Sequence, residues 1–159
     1  MMSSSIKSFM MSIFNKIVCL VLISILSNPT PVFAGNNSAA SSASFDWNPV
    51  IDAIIMVESE GNPMAVSGNS VGVMQITPIL VRECNNILKG RKSKKRYTLK
   101  DRFSVDKSKE MFLLIQSRHN TANNVERAIR SWNGGMRYSV KRTQRYYNKV
   151  MAKMKKRGS

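Results

Sequence analysis

The sequence predicts a mainly α-helical domain, and three observations support that prediction. Apolar residues recur at helical spacing in several separate segments, whereas no segment shows the alternating pattern of a half-buried strand. The segments are bounded by residues that commonly begin or end helices, such as Pro49 and the paired glycines at 134–135. No internal repeat divides the chain, so we expect one compact domain.

The first residues have the pattern of an export signal. Lys7 and Lys16 give a positive start, residues 17–26 form a short apolar core, and Val-Phe-Ala at 32–34 matches a small-x-small cleavage site. The apolar core is about half of the roughly 20 residues that a membrane span needs, so a cleaved signal is preferred to an uncleaved anchor.

Composition therefore divides the chain into a signal peptide at residues 1–34, a flexible leader at 35–45 and one domain at 46–159. Loss of the two signal lysines lowers the formal net charge from +16 to +14. The domain keeps one cysteine, Cys84, whose apolar neighbours indicate a core residue and not a nucleophile. His119 has no ligand cluster near it in sequence and is interpreted as a helix-end residue, so no metal and no cofactor are expected.

The first two helices are predicted on either side of a turn-rich stretch. The first begins at Asn48-Pro49 and stops at Gly61. The second runs from about residue 71 to 88 and is bent or interrupted at Pro78. The basic run at residues 89–96 is interpreted as an exposed loop.

Three further helices are predicted in the rest of the chain. One begins near residue 104 or 106 and ends around 120, and a short one is capped by Asn123 or Asn124 and closed by the glycines at 134–135. The last runs from about residue 137 to 154 and then frays into basic residues.

The first helix carries a carboxylate on its apolar face. Ile51, Ile54 and Ile55 precede Glu58 by seven, four and three residues, which places all four on one side of a helix. Desolvation there favours a protonated carboxyl group, as a general acid requires. Glu60 faces another way. A surface glutamate at a frayed helix end is the ordinary alternative, and Glu58 alone does not exclude it.

Four motifs in order along the chain change that balance. They are Glu-Ser followed by Asn-Pro-x-Ala-x-Ser at 58–67, Gly-Val-Met-Gln-Ile at 72–76, Ala-Ile-Arg-Ser-Trp-Asn-Gly-Gly at 128–135, and Thr-x-x-Tyr-x-x-x-Val at 143–150. Together they resemble the soluble lytic transglycosylase family, relatives of goose-type lysozyme that cut peptidoglycan. The motifs cover roughly residues 46–151, nearly all of the predicted domain.

The resemblance implies a small lysozyme-like helical domain with a substrate cleft, in which Glu58 is both acid and base. In that family one glutamate protonates the leaving oxygen of the MurNAc–GlcNAc β-1,4 bond and then accepts a proton from the C6 hydroxyl. That hydroxyl closes onto C1 and leaves a 1,6-anhydro-MurNAc end. Most glycoside hydrolases use two carboxylates. Only Glu58 lies in a motif here, which favours a lyase; for a hydrolase, Asp101 and Asp106 are the best remaining candidates for the second carboxylate.

The resemblance also implies roles for five other positions. Ser67 would bind sugar or peptide near the cut, while Gln75 and the main chain around Met74 would hold N-acetyl and hydroxyl groups. Asn133 would hydrogen-bond the glycan, and Tyr146 would orient or polarise the glutamate. Taken singly, each also has an ordinary interpretation as a turn residue, core filler, helix C-cap or packed aromatic.

The chain departs from the family pattern at three positions. Trp132 stands where a tyrosine is usual and is a candidate sugar platform, and Gly134 stands where a small alanine is usual. Arg142 stands where an acidic residue is usual, so the charge at this position of the site differs from the family pattern.

The charge suits several anionic partners. A pI near 10.4 fits nucleic acid, an anionic membrane or an acidic polymer equally well. The run at 89–96 is followed only by Tyr97 and lacks the interleaved aromatic residues of nucleic-acid modules. We therefore expect no nucleic acid, and acidic stem peptides or cell-wall polymers as the counter-charge.

The prediction from the sequence is an exported monomer of the periplasm or cell envelope that acts on peptidoglycan glycan strands. It includes a role beside a cell-envelope assembly or a conjugation apparatus, with no stable membrane span after signal cleavage. Three alternatives stay open. They are an inactive peptidoglycan-binding protein on the same scaffold, a lysozyme-like hydrolase, and a cationic membrane-active or antibacterial protein.

Overall fold

The computed structural model describes residues 45–157. The predicted signal peptide and all but the last residue of the predicted leader lie outside the described residues. Within the described part of the chain five α-helices make up most of the domain: α1 Asn48–Glu58, α2 Pro78–Gly90, α3 Val105–His119, α4 Val125–Gly134 and α5 Val140–Arg157. The predicted mainly helical fold class is therefore confirmed.

Two short elements join the helices. An antiparallel pair, β1 Val66–Ser67 and β2 Ser70–Val71, follows α1. A 3₁₀ turn at Lys100–Phe103 precedes α3. Strands of two residues are too short to give an alternating sequence pattern, so the prediction from the sequence missed them.

The predicted starts of the two middle helices are confirmed, with Ser104 and Asn124 as their caps. The Ser104 hydroxyl accepts a hydrogen bond from the backbone N–H of Lys107 at 3.3 Å, and the Asn124 side chain accepts one from that of Arg127 at 2.8 Å. Each bond satisfies a backbone donor that the first turn of a helix leaves without a partner. Gly135 follows α4 with a φ of +73°, a conformation that glycine adopts readily.

Three predicted helix boundaries are wrong. The second helix begins at Pro78 and not near residue 71, because Thr77 caps it and residues 71–76 form β2 and a set of turns. The first helix ends at Glu58, three residues before the predicted glycine stop. The last helix begins at Val140 and not near residue 137.

The core lies where α5 packs against both α1 and α4, with α2 and α3 packed beside them. Its largest fully buried side chains include Ile51, Ile54 and Phe112. Cys84 is buried as predicted, and burial raises the pKa of its thiol to about 12, with the charge of Glu83 as a smaller cause. The thiol is therefore not a nucleophile at neutral pH. In residues 45–157 no helix has both the length and the apolarity to cross a membrane.

Candidate active site

Glu58 is the last residue of α1 and lies at the end of the apolar face of that helix. Ile54 and Ile51, one and two turns earlier, are fully buried, and the Glu58 side chain is partly buried. Burial raises the pKa of the Glu58 carboxyl group, because the ionised form loses contact with water. Glu60, two residues later, is exposed.

The Tyr146 hydroxyl of α5 donates a hydrogen bond to Glu58 Oε1 at 2.7 Å. This bond alone lowers the pKa of Glu58, but burial has the larger effect and the net shift is upward. Burial, and then the neighbouring carboxylate, raise the pKa of Tyr146, so the phenol stays protonated as a donor. The two side chains are 88 positions apart in sequence, and their contact joins the first described helix to the last.

Ser59 attaches the end of α1 to the segment that follows β2. Its hydroxyl donates to the carbonyl oxygen of Val73 at 2.9 Å and lies 3.4 Å from that of Ile55. The position of the residue after Glu58 is therefore fixed on two sides. Ser59 lies in the first sequence motif, but a partner 14 residues away leaves no local pattern from which its role could be predicted.

The segment at residues 65–76, here called the motif loop, depends on a close backbone approach at Gly72. Gly72 has a φ of +77°, and a Cβ atom there would lie 1.9 Å from the carbonyl oxygen of Arg102. Only glycine fits that space. The Arg102 side chain is buried, and its Nη1 donates to the carbonyl oxygens of Asn69 at 3.0 Å and Ile76 at 3.1 Å.

Gln75 and Met74 support the motif loop from within. Gln75 has a φ of +50°, and its side-chain nitrogen donates to the carbonyl oxygens of Gly72 at 3.0 Å and Ala65 at 3.3 Å. The Met74 side chain is fully buried, and its carbonyl oxygen accepts a hydrogen bond from Trp132 Nε1 at 3.2 Å. The structure therefore gives both residues a bracing role, and their substrate contacts stay predictions.

Trp132 connects α4 to the motif loop and borders a cleft. Its ring lies 5.2 Å from the ring of Phe112, and its indole nitrogen makes the bond to the loop described above. The cleft beside it has a volume of about 490 Å³, and Ile79 and Met136 contribute exposed apolar side chains to its lining. Neither Glu58 nor Tyr146 lines this cleft, so a sugar platform at the partly buried Trp132 stays a prediction.

Arg130 fixes the start of α5 and so contributes to the position of Tyr146. This arginine is almost completely buried in α4, and its Nη1 donates to the carbonyl oxygen of Val140 at 3.1 Å and to the Thr143 hydroxyl at 3.2 Å. Its Nη2 donates to Gln144 Oε1 at 2.9 Å. A buried guanidinium group with several acceptors orients the helix ends that supply them.

Gly134 also belongs to this junction. A Cβ atom at that position would lie 2.7 Å from Thr143 Cγ2 and 2.8 Å from Tyr138 Cβ. Both distances are below normal contact, so the start of α5 leaves no room for the alanine that the family pattern favours. The departure at Gly134 therefore has a packing reason.

The two remaining predicted residues are exposed. Ser67 lies in β1, and Asn133 lies in the last turn of α4. Both side chains are accessible to a ligand, and their sugar contacts stay predictions.

The other carboxylates are mostly engaged away from Glu58. Hydrogen bonds or ion pairs join Asp46 to Asn48, Asp52 to Lys109, Glu83 to His119, Glu110 to Lys95 and Lys107, and Glu126 to Arg130. Of the two candidates for a second acid, Asp101 accepts hydrogen bonds from Thr98, and Asp106 is exposed in the first turn of α3. Across residues 45–157, no cluster of three His, Cys, Asp or Glu side chains is placed to hold a metal ion.

Fold and site together define a small helical domain in which a partly buried, tyrosine-bonded glutamate lies beside a braced loop. The family model described as Transglycosylase SLT domain matches residues 36–155. The chain therefore belongs to the transglycosylase SLT domain family, whose characteristic activity is the lytic transglycosylase type on peptidoglycan of the cell envelope. Searches among curated proteins and solved structures give no significant match.

Proposed function

We propose that this protein is a lytic transglycosylase that cleaves the β-1,4 bond between MurNAc and GlcNAc and leaves 1,6-anhydro-MurNAc ends. The observation that carries the proposal is the 2.7 Å contact between Tyr146 and Glu58 at the partly buried end of α1. Protonation of a leaving oxygen needs a carboxyl group with a raised pKa in a fixed position. Glu58 meets both requirements.

In this mechanism Glu58 acts twice. Its proton passes to the glycosidic oxygen while the bond from that oxygen to C1 of MurNAc breaks, and GlcNAc leaves with a free 4-hydroxyl. The carboxylate then removes the proton of the MurNAc C6 hydroxyl, and O6 bonds to C1. The carboxyl group is thereby restored, and no water is consumed.

The raised pKa of Glu58 serves both steps. It keeps the acid form available for the first step and makes the carboxylate a stronger base for the second. Tyr146 holds the carboxyl group by one oxygen, which leaves the other oxygen for the sugar. Ser67 and Asn133 are exposed and available for sugar contacts, whereas the motif loop supplies a rigid wall.

The chemistry of the products tests the proposal. Purified peptidoglycan is digested, and the fragments are analysed by mass spectrometry before and after borohydride treatment. The expected fragments are one water lighter than reducing fragments and resist reduction. Reducible fragments that take heavy oxygen from labelled water would identify a lysozyme-like hydrolase instead.

A pair of variants tests the assignment of the acid. Glu58→Gln is expected to lower the rate at least roughly 10²–10⁴-fold, the usual contribution of a general acid, while the far-ultraviolet circular dichroism stays the same. Glu60→Gln, an exposed control two residues away, is expected to clear peptidoglycan like the wild type. Equal losses of rate in the two variants would contradict the assignment of Glu58 as the general acid. A wild-type chain that binds peptidoglycan without cutting it would support the inactive binding protein.

A further inference from the structure

The outer face of α5 carries a row of cations, here called the α5 stripe. It consists of Lys141, Arg142, Arg145, Lys149, Lys153 and Lys156. From Arg142 onward the steps are three, four, four and three residues, which places the side chains along one side of the helix. With a rise of 1.5 Å per residue, the row from position 142 to 156 is about 21 Å long.

The charges of the α5 stripe are not neutralised within the described part of the chain. All six side chains are exposed, and α5 contains no Asp or Glu between Val140 and Arg157. The ion pairs found in residues 45–157 use other cations, namely Lys95, Lys107, Lys109, His119 and Arg130. The stripe therefore presents a dense positive charge to a partner outside the domain.

The α5 stripe runs past the candidate acid. Arg142 and Lys149 lie four residues before and three residues after Tyr146, so each is one helical turn from the residue that bonds Glu58. Arg142 also occupies the position where the resemblance gives a usual acidic residue. A negative charge beside the site is replaced here by a positive one.

The composition of this face limits what it can bind. The other exposed residues of α5 are Val140, Gln144, Asn148, Ala152 and Lys155, so the described part of the helix exposes no aromatic ring for base stacking. Among the described side chains of α5, Val140 at the first position is the one exposed large apolar residue, which is too little for insertion into a membrane, because the rest of the apolar face packs against α1 and α4. The remaining fit is an anion that needs charge alone and that lies beside the sugar held at Glu58.

We propose that the α5 stripe binds the carboxylates of the peptide stems next to the bond that is cut. The enzyme then selects stem-bearing glycan over glycan stripped of its peptides. This inference rests on the proposed function, because MurNAc is the sugar that carries the stems. It adds a substrate preference that the acid and the motif loop do not supply.

The test compares kcat/KM for stem-bearing glycan and for the same glycan stripped by an amidase. The ratio of these two values is expected to be well above one for the wild type. In the triple variant Arg142→Gln, Arg145→Gln, Lys149→Gln the ratio is expected to fall about tenfold, the combined effect of several exposed ion pairs. Glutamine keeps a good helix propensity, and thermal unfolding checks that α5 is retained. The single charge reversal Arg142→Glu is expected to lower the ratio in the same direction.

A matched control removes three charges elsewhere. Lys89, Lys92 and Lys94 are exposed and lie at the end of α2 and in the loop after it, in a part of the domain that packs against α3. Their replacement by Gln lowers the net charge equally and is expected to leave the ratio unchanged. An equal fall in this control would show an effect of total charge and overturn the α5 site.

Other outcomes also overturn the inference. A wild-type ratio near one, or a triple variant with the wild-type ratio, would mean that stems are not recognised by α5. Competition by a soluble phosphodiester polymer, with none by free stem peptide, would assign the stripe to a different anion. Failure of the proposed function gives other results than failure of this inference: the products are reducible, or the Glu58→Gln variant is active. An enzyme that forms anhydro ends but ignores stems rejects only this inference.

Discussion

The motif loop and the basic loop at residues 91–96 follow neighbouring helices, but they are held in opposite ways. In the motif loop, carbonyl oxygens of consecutive residues accept hydrogen bonds from side chains, with Ser59 bonded to Val73 and Trp132 bonded to Met74. In the basic loop most side chains are exposed. Two exposed side-chain contacts tie it to α3. One is an ion pair between Lys95 and Glu110, which lowers the pKa of Glu110 to about 2. The other is a hydrogen bond from Arg91 Nη2 to the Ser117 hydroxyl at 2.9 Å.

The comparison assigns different tasks to the two loops: the motif loop holds its atoms in fixed positions, and the basic loop presents charge. Side chains that bond the backbone in a partly buried setting fix a loop to one conformation. Exposed ion pairs contribute little to stability and are screened over about 8 Å at physiological salt. The predicted exposed loop is confirmed for residues 91–96, in which Lys95 is paired but exposed, whereas residues 89–90 belong to α2.

The largest effect is expected from Gly72→Ala. The new Cβ would meet the backbone carbonyl of Arg102, so we expect a loss of about 3 kcal/mol in the free energy of unfolding, from strain and overpacking together. Gly68→Ala is the matched control, since Gly68 has a φ of +58° but open space around its Cα. Urea unfolding is expected to show a loss of only about 1 kcal/mol there. Equal losses in the two variants would mean that the close approach at Gly72 does not matter.

Tyr146→Phe tests the bond that connects the two ends of the domain. Loss of a hydrogen bond to a carboxyl group is expected to lower the rate about tenfold. The wild-type rate is expected to fall as the pH rises through the raised pKa of Glu58, because the acid form is then lost. The tyrosine bond lowers that pKa, so its removal moves the alkaline limb of the rate profile to higher pH.

Initial rates measured against pH at fixed ionic strength decide this point. Tyr147→Phe is the control, because the neighbouring ring stacks on Arg130 and keeps that contact without its hydroxyl. An alkaline limb that moves downward in Tyr146→Phe would contradict the assignment.

Ser59→Ala is expected to have a smaller effect. It removes one partly buried hydrogen bond to Val73, which corresponds to about 1 kcal/mol of stability and roughly a fivefold loss of rate if the motif loop shifts. Ser117→Ala removes two exposed bonds of one hydroxyl, which donates to the carbonyl oxygen of Leu114 and accepts from Arg91, and almost no change in unfolding or rate is expected. The same loss in the free energy of unfolding in both variants would mean that the Ser59 bond to the motif loop contributes no more than an exposed surface bond.

The smallest effect on stability is expected from Lys92→Gln with Lys94→Gln in the basic loop. Both side chains are exposed, so the free energy of unfolding should change by less than about 0.5 kcal/mol. Binding to whole cell walls is expected to weaken and to depend less steeply on salt, while turnover of soluble glycan fragments is retained. Loss of turnover on short fragments would place this loop in the active site.

Sequence patterns predicted the helices well where the apolar spacing was regular and the caps were local. The α3 helix illustrates this, because Ser104 begins it and its buried residues recur at helical spacing. Residues 71–76 are largely apolar, so their sequence resembles that of a buried helix, although they form no helix. Their turns depend instead on positive φ angles at Gly72 and at Gln75, and the second is not a residue type that signals such an angle.

The spacing of apolar residues predicted which face of α1 carries Glu58. It could not predict the hydrogen bonds that hold the surrounding residues in place. The contact between Trp132 and Met74 spans 58 residues, and that between Arg130 and Thr143 joins two helices. Pairs of this kind leave no trace in a single sequence, because each partner alone looks like an ordinary polar or aromatic residue. The motifs located these residues, and the hydrogen bonds explain why they occur together.

The 88-residue separation between Glu58 and Tyr146 has a consequence for the timing of activity during synthesis and folding. The glutamate is made early, whereas its phenol partner lies in the last helix. Until α5 docks, the carboxyl group lacks that partner and its hydrogen bond. Under the proposed function, the acid is therefore complete only after the last helix has been made and has docked against α1.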